Sequence, residues 1–173
     1  MEPSRKPEIH NLSYLELEDY LDHIGEKRFR ARQVFAWIYQ KDVADFIGMT
    51  DLSHSLRNNL QEDFLFRSPL LLRKEVSADY TTKFLFDEED HEKVETVLIP
   101  ASHRNTVCVS TQAGCKFGCR FCASGVDGWT RNLSCAEIVT QILYVRKESR
   151  TGPLTHIVFM GTGEPLATVS LRC

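Results

Sequence analysis

Three cysteines crowded into one short stretch constrain this chain more than any other feature. Cys115, Cys119 and Cys122 stand in Gly114-Cys-Lys-Phe-Gly-Cys-Arg-Phe-Cys122, spaced C-x3-C-x2-C. Thiolates are soft ligands that suit iron–sulfur clusters, zinc or copper. A cubane cluster usually takes four cysteines. Three at this spacing, with no fourth at an obvious interval, leave one iron open to a substrate. A structural zinc site is the alternative, and it needs four Cys or His ligands. Cys108 or His103 could supply the fourth. Zinc knuckles usually pair two C-x2-C elements, and only one is present here.

A second motif lies about 40 residues further on. Thr155-His-Ile-Val-Phe-Met160 reads as a buried strand, and Gly161-Thr-Gly-Glu-Pro165 follows at once. By itself this is an ordinary turn with an exposed acid. At the carboxyl end of a strand it stands where an open α/β sheet places its ligands. Between the motifs, Ser134 and Glu137 form a capping box. It starts a helix through about residue 147, with Ile138, Ile142, Leu143 and Val145 apolar. The extended stretch 106–111, the cysteine loop, this helix and the strand then make one βαβ unit of a parallel sheet.

Upstream the pattern differs. Residues 1–11 read as a loose arm. Ser13 and Glu16 open a first helix that Gly25 closes. A second helix is expected over 29–40, where Phe29, Val34, Phe35 and Ile38 recur at helical spacing. A third covers 52–63, with Leu56 and Leu60 one turn apart. Trp37 and Tyr39 read as packing residues. The period then shortens, and 70–76, 82–87 and 94–99 read as strands of a β-meander. Alternation sets Glu95 on the face opposite Val94 and Thr96, either exposed or held near a site. The expected division is a helical accessory domain over 1–66, a β-meander over 67–105 and an α/β core over 106–173. The class is α/β, or α+β for the whole chain.

Charge narrows the choice of partner. The net charge is −3, with no global basic excess. Locally, Lys27, Arg28, Arg30, Arg32 and Lys41 have no acid among them, and basic residues outnumber acids over 103–150. The acids gather in Asp87-Glu-Glu-Asp-His-Glu92. A local basic face can meet phosphates in an acidic protein, although a solvated helix face has the same composition. No apolar run approaches the ~20 residues of a membrane span, and the N-terminus lacks a signal-peptide core. With three of six cysteines in a cluster motif, the reducing cytoplasm is the expected compartment.

These segments together resemble a known family. The C-x3-C-x2-C spacing is that of radical S-adenosylmethionine (SAM) enzymes. The flanking segments resemble the dual-specificity RNA methyltransferases that methylate carbon 2 of adenine in 23S rRNA and tRNA. The matching stretches are Phe29-Arg-Ala-Arg-Gln-Val-Phe-Ala-Trp-Ile-Tyr39, Val94-Glu-Thr-Val-Leu-Ile-Pro100, Cys108-Val-Ser-Thr-Gln-Ala-Gly-Cys115, Arg131-Asn-Leu133 and Gly161-Thr-Gly-Glu-Pro-Leu166. The resemblance implies that Cys115, Cys119 and Cys122 hold a [4Fe-4S] cluster. It implies that Phe121 lies by the adenine of SAM, and that Gly163 and Glu164 hold its methionyl end. It further implies a methylated carrier cysteine, whose methyl group is activated by a 5′-deoxyadenosyl radical. Cys108 matches the resolving thiol, which releases product by forming a disulfide with the carrier. Glu95 matches the acid that accepts the ring proton. An electron donor such as a flavodoxin or ferredoxin, a monomeric state and a partial (βα)6 barrel belong to the same picture. Relatives that methylate carbon 8 share the mechanism, and Pro165 after Gly-Glu leans towards carbon 2.

The resemblance has one departure. The family continues well beyond the Gly-Glu-Pro turn, whereas this chain stops at Cys173, seven residues after Leu166. No position matches the carrier cysteine, and Cys173 is not taken for it. The expectation is a C-terminally truncated member, an incomplete fragment that does not complete turnover. The competing readings are a non-catalytic iron–sulfur or RNA-binding remnant, another radical SAM enzyme, and a zinc module.

Overall fold

In a computed structural model of the chain, residues 6–126 and 128–168 are described. Cys173, named above, lies outside the described residues. The chain divides into two compact units, with the boundary after Ser68.

The first unit is helical. Helix α1 (Tyr14–His23) opens on the expected capping box: the Glu16 amide donates to the Ser13 hydroxyl, and the Ser13 amide donates to the Glu16 carboxylate. Helices α2 (Arg30–Tyr39) and α3 (His54–Asp63) follow, with Ser53 capping α3. Their apolar stripes close one core: Leu17, Leu21, Val34, Ile38, Leu56 and Leu60 are all essentially inaccessible. Burying each such side chain contributes roughly 1.5–3 kcal/mol. Trp37 is half-buried, and its indole N–H donates to Asp51 at 2.5 Å, as befits a packing residue.

The arm is a correction. From Pro7 onward the chain is pinned, with Ile9 N–H donating to Leu65 C=O and Leu65 N–H donating to Pro7 C=O, both at 2.9 Å. Ile9 and His10 are buried. An anchor of four residues, Pro7 to His10, is too short to show any period, so only the tertiary contact reveals it.

The second unit is a five-stranded mixed sheet in the order β1-β2-β3-β4-β7. Strands β1 (Leu70–Val76), β2 (Thr82–Asp87) and β3 (Lys93–Ala101) form the meander, and β4 (Arg104–Cys108) pairs antiparallel with β3. Helix α4 (Cys135–Glu148) carries the chain to β7 (His156–Val158), which pairs parallel with β4. This is the expected βαβ unit, but β7 is not the buried strand read over 155–160: it is three residues long at the sheet edge, with His156 and Ile157 exposed and Met160 80% exposed, because no further strand pairs with it among the described residues. The meander and the unit share one sheet and one core. No barrel closes among the described residues; the sheet stays open at β7.

Alternation divides the sheet into two faces. Phe84, Phe86, Val94, Leu98 and Val107 pack with Leu133, Ile138 and Val145 from the α4 side. The opposite face, away from α4, carries Lys83, Leu85, Glu95, Val97, Thr106 and Cys108. Two short strands were not expected: β5 (Gln112–Gly114) and β6 (Trp129–Asn132), an antiparallel pair that brackets the cysteine loop. They escape the periodicity because neither is long enough to alternate.

The anchor has a consequence for stability. His10 is 3% exposed, and neither ring nitrogen has a hydrogen-bond partner among the described residues. Burial, helped by the nearby Arg67 charge, lowers its pKa from an ordinary 6.5 to about 4. The unfolded chain binds this proton below pH 6.5 and the folded chain only near pH 4. Stability is therefore complete above pH 6.5 and drains away between those values. We predict a loss of ~2 kcal/mol between pH 7 and 5 from this group, which His10→Phe removes; urea melts at the two pH values measure it.

Candidate functional site

The site is built around the segment that leaves β4. Ser110, Thr111 and Gln112 are polar yet buried to within 3%, and buried polar groups must be paired. The Gln141 side chain from α4 does much of this. Its carbonyl oxygen accepts from Ser110 N–H at 3.0 Å and from the Thr96 hydroxyl at 2.6 Å. Its NH2 donates to Ser110 C=O and to Glu137 C=O, each at 3.1 Å. The Ser110 hydroxyl donates to Glu95 C=O at 2.6 Å and accepts from Thr162 N–H at 2.9 Å. One hydroxyl thus joins the strand of Glu95 to the Gly161–Glu164 turn.

That turn lies directly against the segment. Thr111 and Gln112 both donate their amides to Thr162 C=O, at 2.9 and 3.2 Å. Gly163 has φ +110, and a Cβ there would come within 2.7 Å of the Gln112 side chain and 2.8 Å of its amide nitrogen. Only glycine fits both the backbone angle and the space. Glu164 is half-buried; its amide donates to the Gln112 side-chain oxygen at 3.1 Å, while its carboxylate accepts from Leu166 N–H at 3.0 Å.

The cysteine loop leaves the same segment through a pinched neck. Cys115 N–H donates to Gly128 C=O at 2.9 Å. Gly114 has φ +70, and a Cβ there would stand 2.0 Å from the Gly128 oxygen. Cys115, Cys119 and Cys122 are all free thiols; Cys115 is half-buried and the other two are exposed. Hydrogen bonds from the Ser124 hydroxyl and amide hold the Cys122 thiol below its ordinary pKa. Phe121 is 94% exposed.

The donor chemistry fits a soft metal cluster, with three thiols on one loop. The geometry is less complete. Among the described residues, no three His, Cys, Asp or Glu side chains form a group that could hold a metal ion. Thiolates repel one another, so such ligands are assembled by the metal they bind, and binding and loop ordering are one event.

Cys108 and Glu95 share the sheet face opposite α4. Cys108 pairs with Val97, two residues from Glu95, so the two lie as diagonal neighbours about 7–8 Å apart. Burial pushes the Cys108 thiol up, opposed by a hydrogen bond from the Met160 backbone. Glu95 is exposed and pairs with Lys83 at 3.1 Å. It lines a cleft of about 460 Å³ together with Lys93, Gly114, Ser124, Thr130 and Thr162. The cleft thus joins the face of Glu95 to the neck of the cysteine loop and to the turn.

The structure also revises the charge picture. Arg131 is held by two carboxylates, contacting Asp90 at 2.5 and 2.9 Å and Glu137 at 2.8 Å through two nitrogens. The guanidinium pKa is pushed up by Asp90 and Glu137, and Asp90 is held at about 2, chiefly by its hydrogen bond to Arg131. This arginine belongs to a structural clamp between the β2–β3 turn, β6 and the N-terminus of α4. Sequence reasoning assigned no role to Ser110, Gln112, Gln141 or this clamp. The available signal was a polar run, Ser110-Thr-Gln112, between a buried strand and a metal-type loop.

Comparisons with known proteins bear on the whole chain. Residues 8–65 match the family described as ribosomal RNA large subunit methyltransferase N-terminal domain. The chain is 45% identical to a probable dual-specificity RNA methyltransferase RlmN of Clostridium novyi, over 91% of this chain and 46% of that protein. It is 44% identical to the dual-specificity RNA methyltransferase RlmN of Geotalea uraniireducens, over 95% of this chain and 47% of that one. The crystal structure of a radical SAM methyltransferase from Sphaerobacter thermophilus superposes with a TM-score of 0.88 at 39% identity, covering 95% of this chain and 49% of that one. The chain spans about half the length of the curated relatives it matches.

Two substitutions test the site's framework. Gly163→Ala forces both a strained φ and a clash with Gln112, and is expected to destabilise the second unit by ~2 kcal/mol, read as a lower urea midpoint. Arg131→Met leaves the buried Glu137 carboxylate without its cation, and a loss of ~3 kcal/mol is expected; Arg131→Lys should recover part of it.

Proposed function

The chain belongs to the RlmN family, and from that premise we propose that it is the cofactor-binding half of a radical SAM methyltransferase acting on carbon 2 of adenine in 23S rRNA and tRNA. The observation that carries this reading is the meeting of three features at one cleft. Glu95 on the sheet face opposite α4, the neck of the cysteine loop and the Gly161–Glu164 turn all border it.

In this reading Cys115, Cys119 and Cys122 hold a [4Fe-4S] cluster, Gly163 and Glu164 hold the methionyl end of SAM, and Phe121 lies by its adenine. When bound, the cluster and SAM supply the one-electron chemistry that a non-nucleophilic ring carbon requires. The remaining work falls to the chain's own groups. Cys108 is kept as a neutral thiol by burial, a store of the resolving sulfur that becomes nucleophilic only on losing its proton. Glu95 is an exposed carboxylate whose partner, Lys83, sits on the same face, where it can accept a proton from a substrate in the cleft. The backbone of the Gly161–Glu164 turn is held by hydrogen bonds to Ser110 and Gln112. The partners are 23S rRNA, tRNA and an electron donor such as a flavodoxin or ferredoxin, and the compartment is the cytoplasm. No helix among the described residues is long and apolar enough to cross a membrane.

A second reading, an RNA-binding module without a cluster, draws on the three thiols not being gathered. One measurement separates the two. After anaerobic reconstitution with iron and sulfide, the reduced chain should give a cubane electron paramagnetic resonance signal that shifts on adding SAM. Cys119→Ala should abolish it. A chain that takes up zinc alone, or no metal, overturns the first reading and leaves the second.

A further inference from the structure

Gln112 is fully buried and uses both ends of its side-chain amide. Its oxygen accepts from Glu164 N–H at 3.1 Å, and its NH2 donates to Asn132 Oδ1 at 2.8 Å. Its backbone amide donates to Thr162 C=O, and Gly163 packs on its Cβ and Cγ. Asn132 lies at the end of β6, the strand that closes the cysteine loop, and pairs with Gln112 across the β5–β6 ladder. One side chain therefore spans the two elements that carry every proposed ligand of the cluster and of the methionyl group.

We infer that Gln112 is a positioning residue, which sets the Gly161–Glu164 turn in register with the cysteine hairpin so that the two halves of the cofactor site are presented together. The inference rests on the reading of function above. Its physical content is local. Glu164 N–H has the Gln112 amide oxygen as its acceptor, and a side chain without that oxygen leaves the N–H facing an apolar group. The turn then relaxes at Glu164, while Thr162 stays tied to the Ser110 hydroxyl. A glutamine that merely filled space would be replaced by an apolar side chain of like volume without selective effect on Glu164.

The test begins on the metal-free chain and so does not depend on activity. In Gln112→Met, site-resolved amide exchange should be at least tenfold faster at Glu164 and unchanged at Thr162 and through α4. Unchanged exchange at Glu164 overturns the inference. If protection falls throughout the second unit, Gln112→Glu decides, because it keeps an oxygen for Glu164 N–H: retained protection at Glu164 supports the inference and its loss overturns it. The second readout is the SAM titration of the reconstituted cluster signal, where Gln112→Met at wild-type iron content should shift the midpoint at least tenfold upward, and an unshifted midpoint overturns the inference. A wild-type chain that binds iron but not SAM would instead sink the functional reading, with the exchange result still standing.

Discussion

The second unit depends on how a buried polar segment is satisfied. Ser110 to Gln112 runs between β4 and β5 through the interior, where each unpaired donor or acceptor would cost ~1–3 kcal/mol. Gln141, Glu95, Thr162 and Asn132 answer most of these groups, while the buried Thr111 hydroxyl has no partner among the described residues. Because the partners come from α4, β3, the Gly161–Glu164 turn and β6, satisfying the segment also fixes four elements relative to one another. An apolar segment would pack more cheaply and would leave the turn free to slide. The bonds that are made each need a partner in one place, so they favour one arrangement of these elements.

This arrangement separates stability from chemistry. One sheet face is closed by α4 and by the aromatic cluster of Phe84, Phe86 and Tyr144. The other face keeps Glu95 and Cys108 accessible, and the cysteine loop and glycine turn sit where β4 and β7 end. The loop is tied at its neck by Gly114, Cys115 and Gly128, and Lys116 lies over the Trp129 ring. Its exposed thiols have few internal partners, as expected of ligands whose final geometry is imposed by what they bind.

Charge follows the same economy. Three of the basic residues that stood out in the sequence are engaged in ion pairs: Arg28 with Asp19, Lys41 with Asp51 and Arg131 with Asp90 and Glu137. The acidic run 87–92 and the basic stretch beyond residue 103 meet at Arg131, so two opposite patches in the sequence become one ion-pair clamp. Exposed pairs of this kind contribute little each. The Arg131 clamp contributes more because Glu137 is buried and also caps α4.

Much of this protein was legible from local chemistry. Capping boxes at Ser13 and Ser134, helical spacing in α1 to α4, alternation in β1 to β3 and the exposed side of Glu95 all arise from interactions a few residues apart, which a sequence records directly. The cysteine spacing and the Gly-Thr-Gly-Glu turn likewise named the candidate chemistry, since ligand type and backbone freedom are properties of residue identity. What depends on distant partners was decided by tertiary structure alone. The anchor at Pro7 to His10 exists because Leu65 accepts and donates across the unit. Strands β5 and β6 exist because each completes the other's hydrogen bonds. The clamp on Arg131 and the double use of Gln112 need carboxylates and amides brought from far along the chain, and no period or spacing encodes such a meeting.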